Sequence, residues 1–309
     1  MFRLCSAVVL FLGVFLSLPQ PAKEAEKTIK VITSIPDFAD MAREIGGNRV
    51  SVESLASGIE DTHGVPVRPS FAAKLSGADI LIEMGLGLEH AWLPSLVDAS
   101  GNQKIRGNGK GKIEVCEGIT RLEIPLDLSR ANGEQHAEGN PHLNICPGNG
   151  RPIATNICKG LSENFPEYKS EFEANLAKYL EKLSGKEKEW EAAKPKLKGV
   201  KFVSFHNHWP YWAEYFGMEY VGTLEPKPGV PPSGAHIVQL VKEMKGRGVK
   251  LIVREPQFSE NLPKEIAAKL DGKVVKLAIM VGGLPEAKTW IDMIDINLKN
   301  MLAAVEPAK

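Results

Sequence analysis

The sequence predicts an α/β protein of two lobes, each a mostly parallel sheet with helices on its faces, joined by one long linking helix. Three observations carry that expectation. Short β-branched apolar runs alternate with helical patterns before residue 116 and again after residue 201. The connections between them are short, which favours parallel pairing over hairpins. Between the two halves lies Pro166–Lys194, the longest stretch in the chain with a single periodicity. There Tyr168, Phe172, Leu176, Tyr179, Leu183 and Trp190 fall three, four or seven residues apart on one stripe, with Ser170, Ala177, Glu181 and Lys188 opposite. Pro166 suits a first turn, and Pro195 is expected to close the segment. About 29 residues at 1.5 Å make a rod of roughly 43 Å, read as a strut between the lobes. Gly185, after Ser184, is its expected kink.

The elements follow in order. Thr28–Ile35 reads as a buried strand, Ala39–Ile45 as a helix stopped by Gly46-Gly47, and Arg49–Leu55 as a second strand. The loop Gly58–Pro66 follows and contains His63; Ser70 opens a helix, and Ala78–Met84 is a third strand. After Trp92 the periodicity loosens into a glycine and lysine loop, a short strand at Ile113–Cys116, and Asp127–Asn140, which has no periodicity, contains His136 and is read as a linker. Beyond the long helix the alternation restarts. Lys201–Phe205, Glu219–Leu224, Val249–Arg254 and Val274–Met280 read as strands, interleaved with helices at Trp209–Phe216, up to about Lys245, Lys264–Leu270 and Ala287–Ala303. The expected divisions are residues 28–160, 166–194 and 198–305.

Composition bounds the partners. With 309 residues, 43% hydrophobic, the chain is long enough for two domains with cores. Lysine plus arginine equals aspartate plus glutamate at 38 each, so no net field draws nucleic acid or anionic lipid. Met1–Ala22 has the layout of an export signal: Arg3, an apolar run too short to span a bilayer, then Pro19 and Pro21 before a polar stretch. Cleavage is expected after Ala22, and Cys5 lies ahead of the apolar run, unlike a lipid-attachment cysteine. Cys116, Cys146 and Cys158 remain, Cys146 and Cys158 being the nearest candidates for a disulfide.

Three histidines hold comparable places. His63 follows the second strand, His142 lies in Gly139-Asn-Pro-His-Leu, and His206 ends KFVSF. Loops leaving the carboxyl ends of strands in two lobes converge on one cleft. Three imidazoles plus one oxygen complete a tetrahedral zinc site, although a lone loop histidine is usually solvated and these spacings form no local motif. His208 reads as exposed or as a partner behind a ligand, and His90 and His236 as surface residues.

The local sequences go further. Asp61-Thr-His63 with Pro69-Ser70, Ala78-Asp-Ile-Leu-Ile with Gly85-Leu-Gly-Leu-Glu89 and Trp92, Pro141-His142-Leu, Glu173-Ala-Asn175 with Tyr179 and Leu183, Phe205-His206-Asn207 with Tyr211 and Tyr215-Phe-Gly217, Glu255-Pro-Gln with Phe258, and Thr289-Trp with Asn297 together resemble the metal-binding substrate-binding proteins of bacterial ABC importers, zinc-uptake type. The order and spacing agree over about residues 28–303. The resemblance implies two lobes bridged by a helix, a metal held between them by His63, His142 and His206, a periplasmic monomer, Zn(II) as the transported ligand and an ABC permease as partner. A histidine at His206 favours zinc over manganese. The chain departs from the pattern at Thr62 and Asn140, which stand where proline and aspartate are usual, and at Ala278, where an acidic ligand is usual. The fourth ligand is therefore open among water, Glu60 and Glu255, with His136 as an auxiliary contact. The alternatives are a binder of manganese, iron or a metal chelate on the same architecture, or a zinc hydrolase using Glu60 or Glu255 as base.

Overall fold

The computed structural model describes residues 28–127, 136–227 and 229–306; the export signal expected at 1–22, and Glu134 and Gln135, lie outside them. Two wholly parallel sheets of four strands form the lobes. In the first, β1 (Ile29–Thr33), β2 (Val50–Ser54), β3 (Ile80–Glu83) and β4 (Lys112–Glu114) lie in the order β2-β1-β3-β4. In the second, β5 (Lys201–Ser204), β6 (Glu219–Thr223), β7 (Leu251–Arg254) and β8 (Lys273–Lys276) repeat that order as β6-β5-β7-β8. The order reverses beside β1 and beside β5, so a crevice opens at the carboxyl ends of both.

The helices follow from the same alternation. α1 (Pro36–Gly46) starts on a proline directly after β1 and ends on Gly47, whose φ of 54° suits a residue without Cβ. α2 (Pro69–Ser76) starts on a proline in the same way. α3 (Leu93–Ser100) and α4 (Gly150–Asn164) are not evident from periodicity. The buried stripe of α4, Ile153, Ala154, Ile157, Cys158 and Leu161, is masked in the sequence by Pro152, Gly160 and interspersed polar residues. The second lobe adds α6 (Pro210–Phe216), α7 (Gly234–Arg247), α8 (Asn261–Leu270) and α9 (Trp290–Val305).

The linking helix α5 runs Lys169–Leu197, after a 3-10 turn at Pro166–Tyr168. One expectation about it is corrected. Pro195 lies inside the last turn instead of ending it, because Lys198 N still reaches Lys194 O at 2.9 Å and only one ladder donor is missing. Helix is also continuous through Gly185. The amino-terminal half of α5 is tied to the first lobe by Arg49–Glu171 and by Asn175 Nδ2 donating to Ile45 O. The carboxyl-terminal half is tied to α9, where Trp190 Nε1 donates to Asp295 Oδ1 at 2.8 Å and Lys186 pairs with Asp295.

The lobes do not have separate interiors. One cluster of buried side chains runs from Ile29 through Phe172 and Trp190 to Met301, and only the outer face of the second sheet, around Val203, Leu240 and Ile252, has its own. Asp37 on α1 accepts from Asn144 Nδ2 at 2.9 Å and from Val281 N at 3.0 Å, and Asp40 accepts from Trp290 N at 2.8 Å, so α1 holds the second lobe by its main chain. At Gly58 a Cβ would meet the Val281 carbonyl oxygen at 2.3 Å, which fits the close approach of the two lobes there.

Two further expectations change. β8 stops at Lys276, since Asn297 brackets Ala278 with both ends of its amide, at 2.8 and 2.7 Å, in place of a neighbouring strand. Cys116, Cys146 and Cys158 are all free and buried, so the Cys146–Cys158 pair is not formed. Cys158 lies on the buried stripe of α4, where its Sγ faces Ser162 Oγ at 3.9 Å, while Cys146 precedes the turn that leads into that helix.

Candidate metal centre

The three histidines singled out in the sequence meet. One ring nitrogen each of His63, His142 and His206 lies within 4.8 Å of the other two, and this is the group with metal-ligand donors found among the described residues. All three are buried, at 9%, 3% and 5% exposure, so a captured ion would leave almost all its water behind. Their ring centres are 5.0, 5.2 and 5.4 Å apart. Rings sharing a tetrahedral zinc with bonds of 2.0–2.1 Å stand roughly 5 Å apart, so the spacing fits that ion.

Each histidine is placed by its own local device. His63 sits in the loop after β2, where Asp61 Oδ1 accepts from His63 N at 3.0 Å and Thr62 O accepts from Trp92 Nε1 at 3.0 Å. Thr62 is buried, in the position where the resemblance leads one to look for proline. His142 follows Asn140, whose Oδ1 accepts from both His142 N (3.0 Å) and His142 Nδ1 (2.9 Å). That fixes the proton on Nδ1 and puts the lone pair on Nε2, which faces His63 Nε2 at 3.0 Å. The Asn140 amide also donates to Asn207 O, at 2.9 Å, and so reaches across to the second lobe as a carboxylate would not.

His206 lies two residues past the end of β5. Parallel pairing matches Ser204 with Thr223, and the same offset brings His206 level with Glu225. His206 Nδ1 donates to Glu225 Oε2 at 2.6 Å, a carboxylate–imidazole pair that orients the ring and strengthens Nε2 as a donor to metal. Burial pulls the His206 pKa down, but the hydrogen bond and charge of Glu225, with the charges of Glu255 and Asp61, outweigh it and leave it above its ordinary value. His63 and His142 are held well below theirs, by burial first and then by neighbouring imidazoles. These two rings are therefore neutral at physiological pH, the form that ligates metal.

The other candidates are placed as follows. Glu60 is committed elsewhere, with Oε1 on Arg68 at 2.8 Å and Oε2 on Ser57 N at 2.6 Å. Glu255 is fully buried behind the cluster, its Oε1 accepting from Trp209 Nε1 at 2.8 Å and from His208 Nδ1 at 3.2 Å, and burial raises its pKa to about 7. Neither carboxylate joins the three nitrogens. His136, expected on a linker, stacks on His63 with ring centres 5.1 Å apart, and its outer side meets the exposed His90 ring. His236 is half-buried on Thr223 O. His208 is not exposed: it is 1% accessible and packs on both His142 and His206. Four buried polar atoms here lack a partner: His63 Nδ1, His136 Nε2, His208 Nε2 and Glu255 Oε2. Each such atom costs about 1–3 kcal/mol. Glu225 and Asn140 as an orienting residue escaped the sequence reading, and of the two readings of His208 the structure keeps the partner behind a ligand; strand register was the available signal for Glu225.

Two facing α/β lobes with a buried cluster of three ring nitrogens between them define a two-lobed α/β protein with a candidate metal centre. Residues 31–304 match the family model described as zinc-uptake complex component A, periplasmic, and the chain belongs to that family of periplasmic zinc-uptake components. It is 24% identical to the zinc-binding lipoprotein AdcA of Streptococcus pneumoniae serotype 4 over 311 residues, covering 96% of this chain and 61% of that protein. It therefore spans about three fifths of the length of that relative. It is 30% identical to the high-affinity zinc uptake system protein ZnuA of Brucella abortus over 160 residues, 52% of this chain and 47% of that one. A crystal structure of ZnuA superposes with a TM-score of 0.76 at 27% identity, covering 91% of this chain and all of that one. The family consists of transport components, not enzymes.

Proposed function

We propose that the chain captures Zn(II) in the cleft between its lobes, through His63, His142 and His206, and delivers it to an ABC-type permease. The lobes are residues 28–160 and 198–305, the strut 166–194, and the working form is a periplasmic monomer released from a signal at 1–22. One observation carries this reading: three buried imidazoles, two from the first lobe and one from the second, meet with spacing that suits zinc. All-nitrogen donors suit zinc better than manganese, which prefers oxygen. Glu60 and Glu255, the bases a hydrolase would use, are already bound to Arg68 and Ser57, and to Trp209 and His208.

Calorimetric titration of the purified chain lacking residues 1–22 tests it. His63→Ala, His142→Ala and His206→Ala should each weaken zinc binding by about 100-fold or more, since losing a ligand exceeds the roughly 10–100-fold typical of losing its orienting partner. His90→Ala should leave the affinity unchanged. Zinc should displace manganese at matched free concentrations. Unchanged zinc affinity in all three histidine variants would sink the assignment.

A further inference from the structure

We propose that His208 is the fourth imidazole of this site, closing the coordination of the ion with a nitrogen where water, Glu60 or Glu255 had been the candidates. The inference rests on the reading that His63, His142 and His206 hold zinc. It begins with the position the resemblance gives to an acidic ligand, which is Ala278 here, a methyl whose main chain is closed on Asn297. The nearby carboxylates are engaged or stand apart: Glu60 is bound to Arg68 and Ser57, Glu225 to His206, and Glu255 through Oε1 to Trp209 and His208, while its unpartnered Oε2 lies outside the three-nitrogen group.

His208 combines attributes that none of these groups has together. Its Nε2 is buried and has no partner, as expected of a nitrogen kept for a metal. Its Nδ1 donates to Glu255, so the lone pair falls on Nε2, the same device that Asn140 provides for His142 and Glu225 for His206. Its ring packs 4.4 Å from the rings of both His142 and His206, one ligand from each lobe. His136, the other imidazole with an unpartnered Nε2, meets only His63 among the three and turns outward to His90. His208 N donates to His206 O at 2.9 Å, and this tight turn folds the side chain back over the ligand two residues before it.

Coordination asks for a small movement. The Nε2 of His208 stands outside the three-nitrogen group, and its ring is nearer to its neighbours than the roughly 5 Å of rings sharing a tetrahedral ion, so it must slide by about an ångström. Four imidazoles would give a closed site with no bound water, and one that strongly disfavours manganese and magnesium.

The test is nitrogen-15 NMR of protein labelled at histidine and loaded with one equivalent of zinc, which distinguishes metal-bound ring nitrogens from free ones. Four metal-bound nitrogens are expected in the wild type and three in His208→Gln, with zinc binding weakened by at least about tenfold. The wild-type count decides without relying on the variant, and melting of the metal-free variant shows whether it folds. Three bound nitrogens in the wild type, or an unchanged count in folded His208→Gln, overturn this proposal and leave the three-histidine reading intact. Loss of none of the bound signals in His63→Ala overturns that reading instead.

Discussion

Glu225→Gln isolates the orienting contact of the site. The variant keeps the shape of the side chain and an oxygen for His206 Nδ1, now 2.6 Å from the carboxylate, and removes only the charge. Losing such a partner weakens metal binding by about 10- to 100-fold, or about 1.4–2.7 kcal/mol. The pH dependence follows from the same pair. Glu225 raises the His206 pKa, and the proton and the metal compete for Nε2. Above that pKa no proton needs displacing, and the variant shows its full deficit. Below it the wild type must first release a proton that the variant holds less tightly, so the deficit narrows as pH falls. Competition against a chromophoric zinc chelator at pH 8.5, 7 and 6 reads both quantities. Affinities within about threefold at pH 8.5, or a deficit that widens in acid, would refute the reasoning.

Two more outcomes concern the scaffold. Burial raises the carboxyl of Asp37 to about pH 7, against an unfolded value near 4, so between those limits the folded chain binds more protons than the unfolded one and stability falls as pH rises. Three pKa units on a fully buried group amount to about 4 kcal/mol, and denaturant midpoints at pH 5 and pH 8 should converge in Asp37→Asn relative to the wild type; an unaltered difference would count against the interlobe role of this carboxylate. Gly185→Ala should raise stability by about 1 kcal/mol, since nothing lies within 4 Å of the new methyl and alanine is the better helix former. The expected gain is about 2 °C in thermal melting, and a loss would mean that α5 needs a bend at this residue.

The two parallel sheets were legible because β1, β3, β5 and β7 are short apolar runs, which a periodicity of two does not describe but short apolar length does, whereas their order in each sheet was not. The meeting of His63, His142 and His206 was legible from the strand-end places of His63 and His206 and from the resemblance carried by Pro141-His142-Leu. What escaped depends on distance across the fold. His208 reads in the sequence as exposed or as a partner behind a ligand, and only the turn at 206–208, which folds it inward, and the tertiary packing that supplies Glu255 decide between the two. α4 escaped because Pro152, Gly160 and interspersed polar residues mask the stripe of Ile153, Ile157 and Leu161, and its helical stability comes from packing on α1 and α5 more than from its own residues. Pro195 misled because a proline near a helix end removes a bond without removing the turn.

The common interior of the two lobes has a thermodynamic reading. With α1, α5 and α9 in one cluster, the halves have no independent melting to offer, and a cation held between them is linked to the unfolding of the whole chain. At free ion a hundred times the dissociation constant, that linkage is worth about 2.7 kcal/mol, if the unfolded chain binds none. The unfolding curve of the loaded chain thus doubles as a binding isotherm, and a lesion far from the cleft, at Trp190 for instance, weakens the grip on the ion only as far as it tilts the lobes.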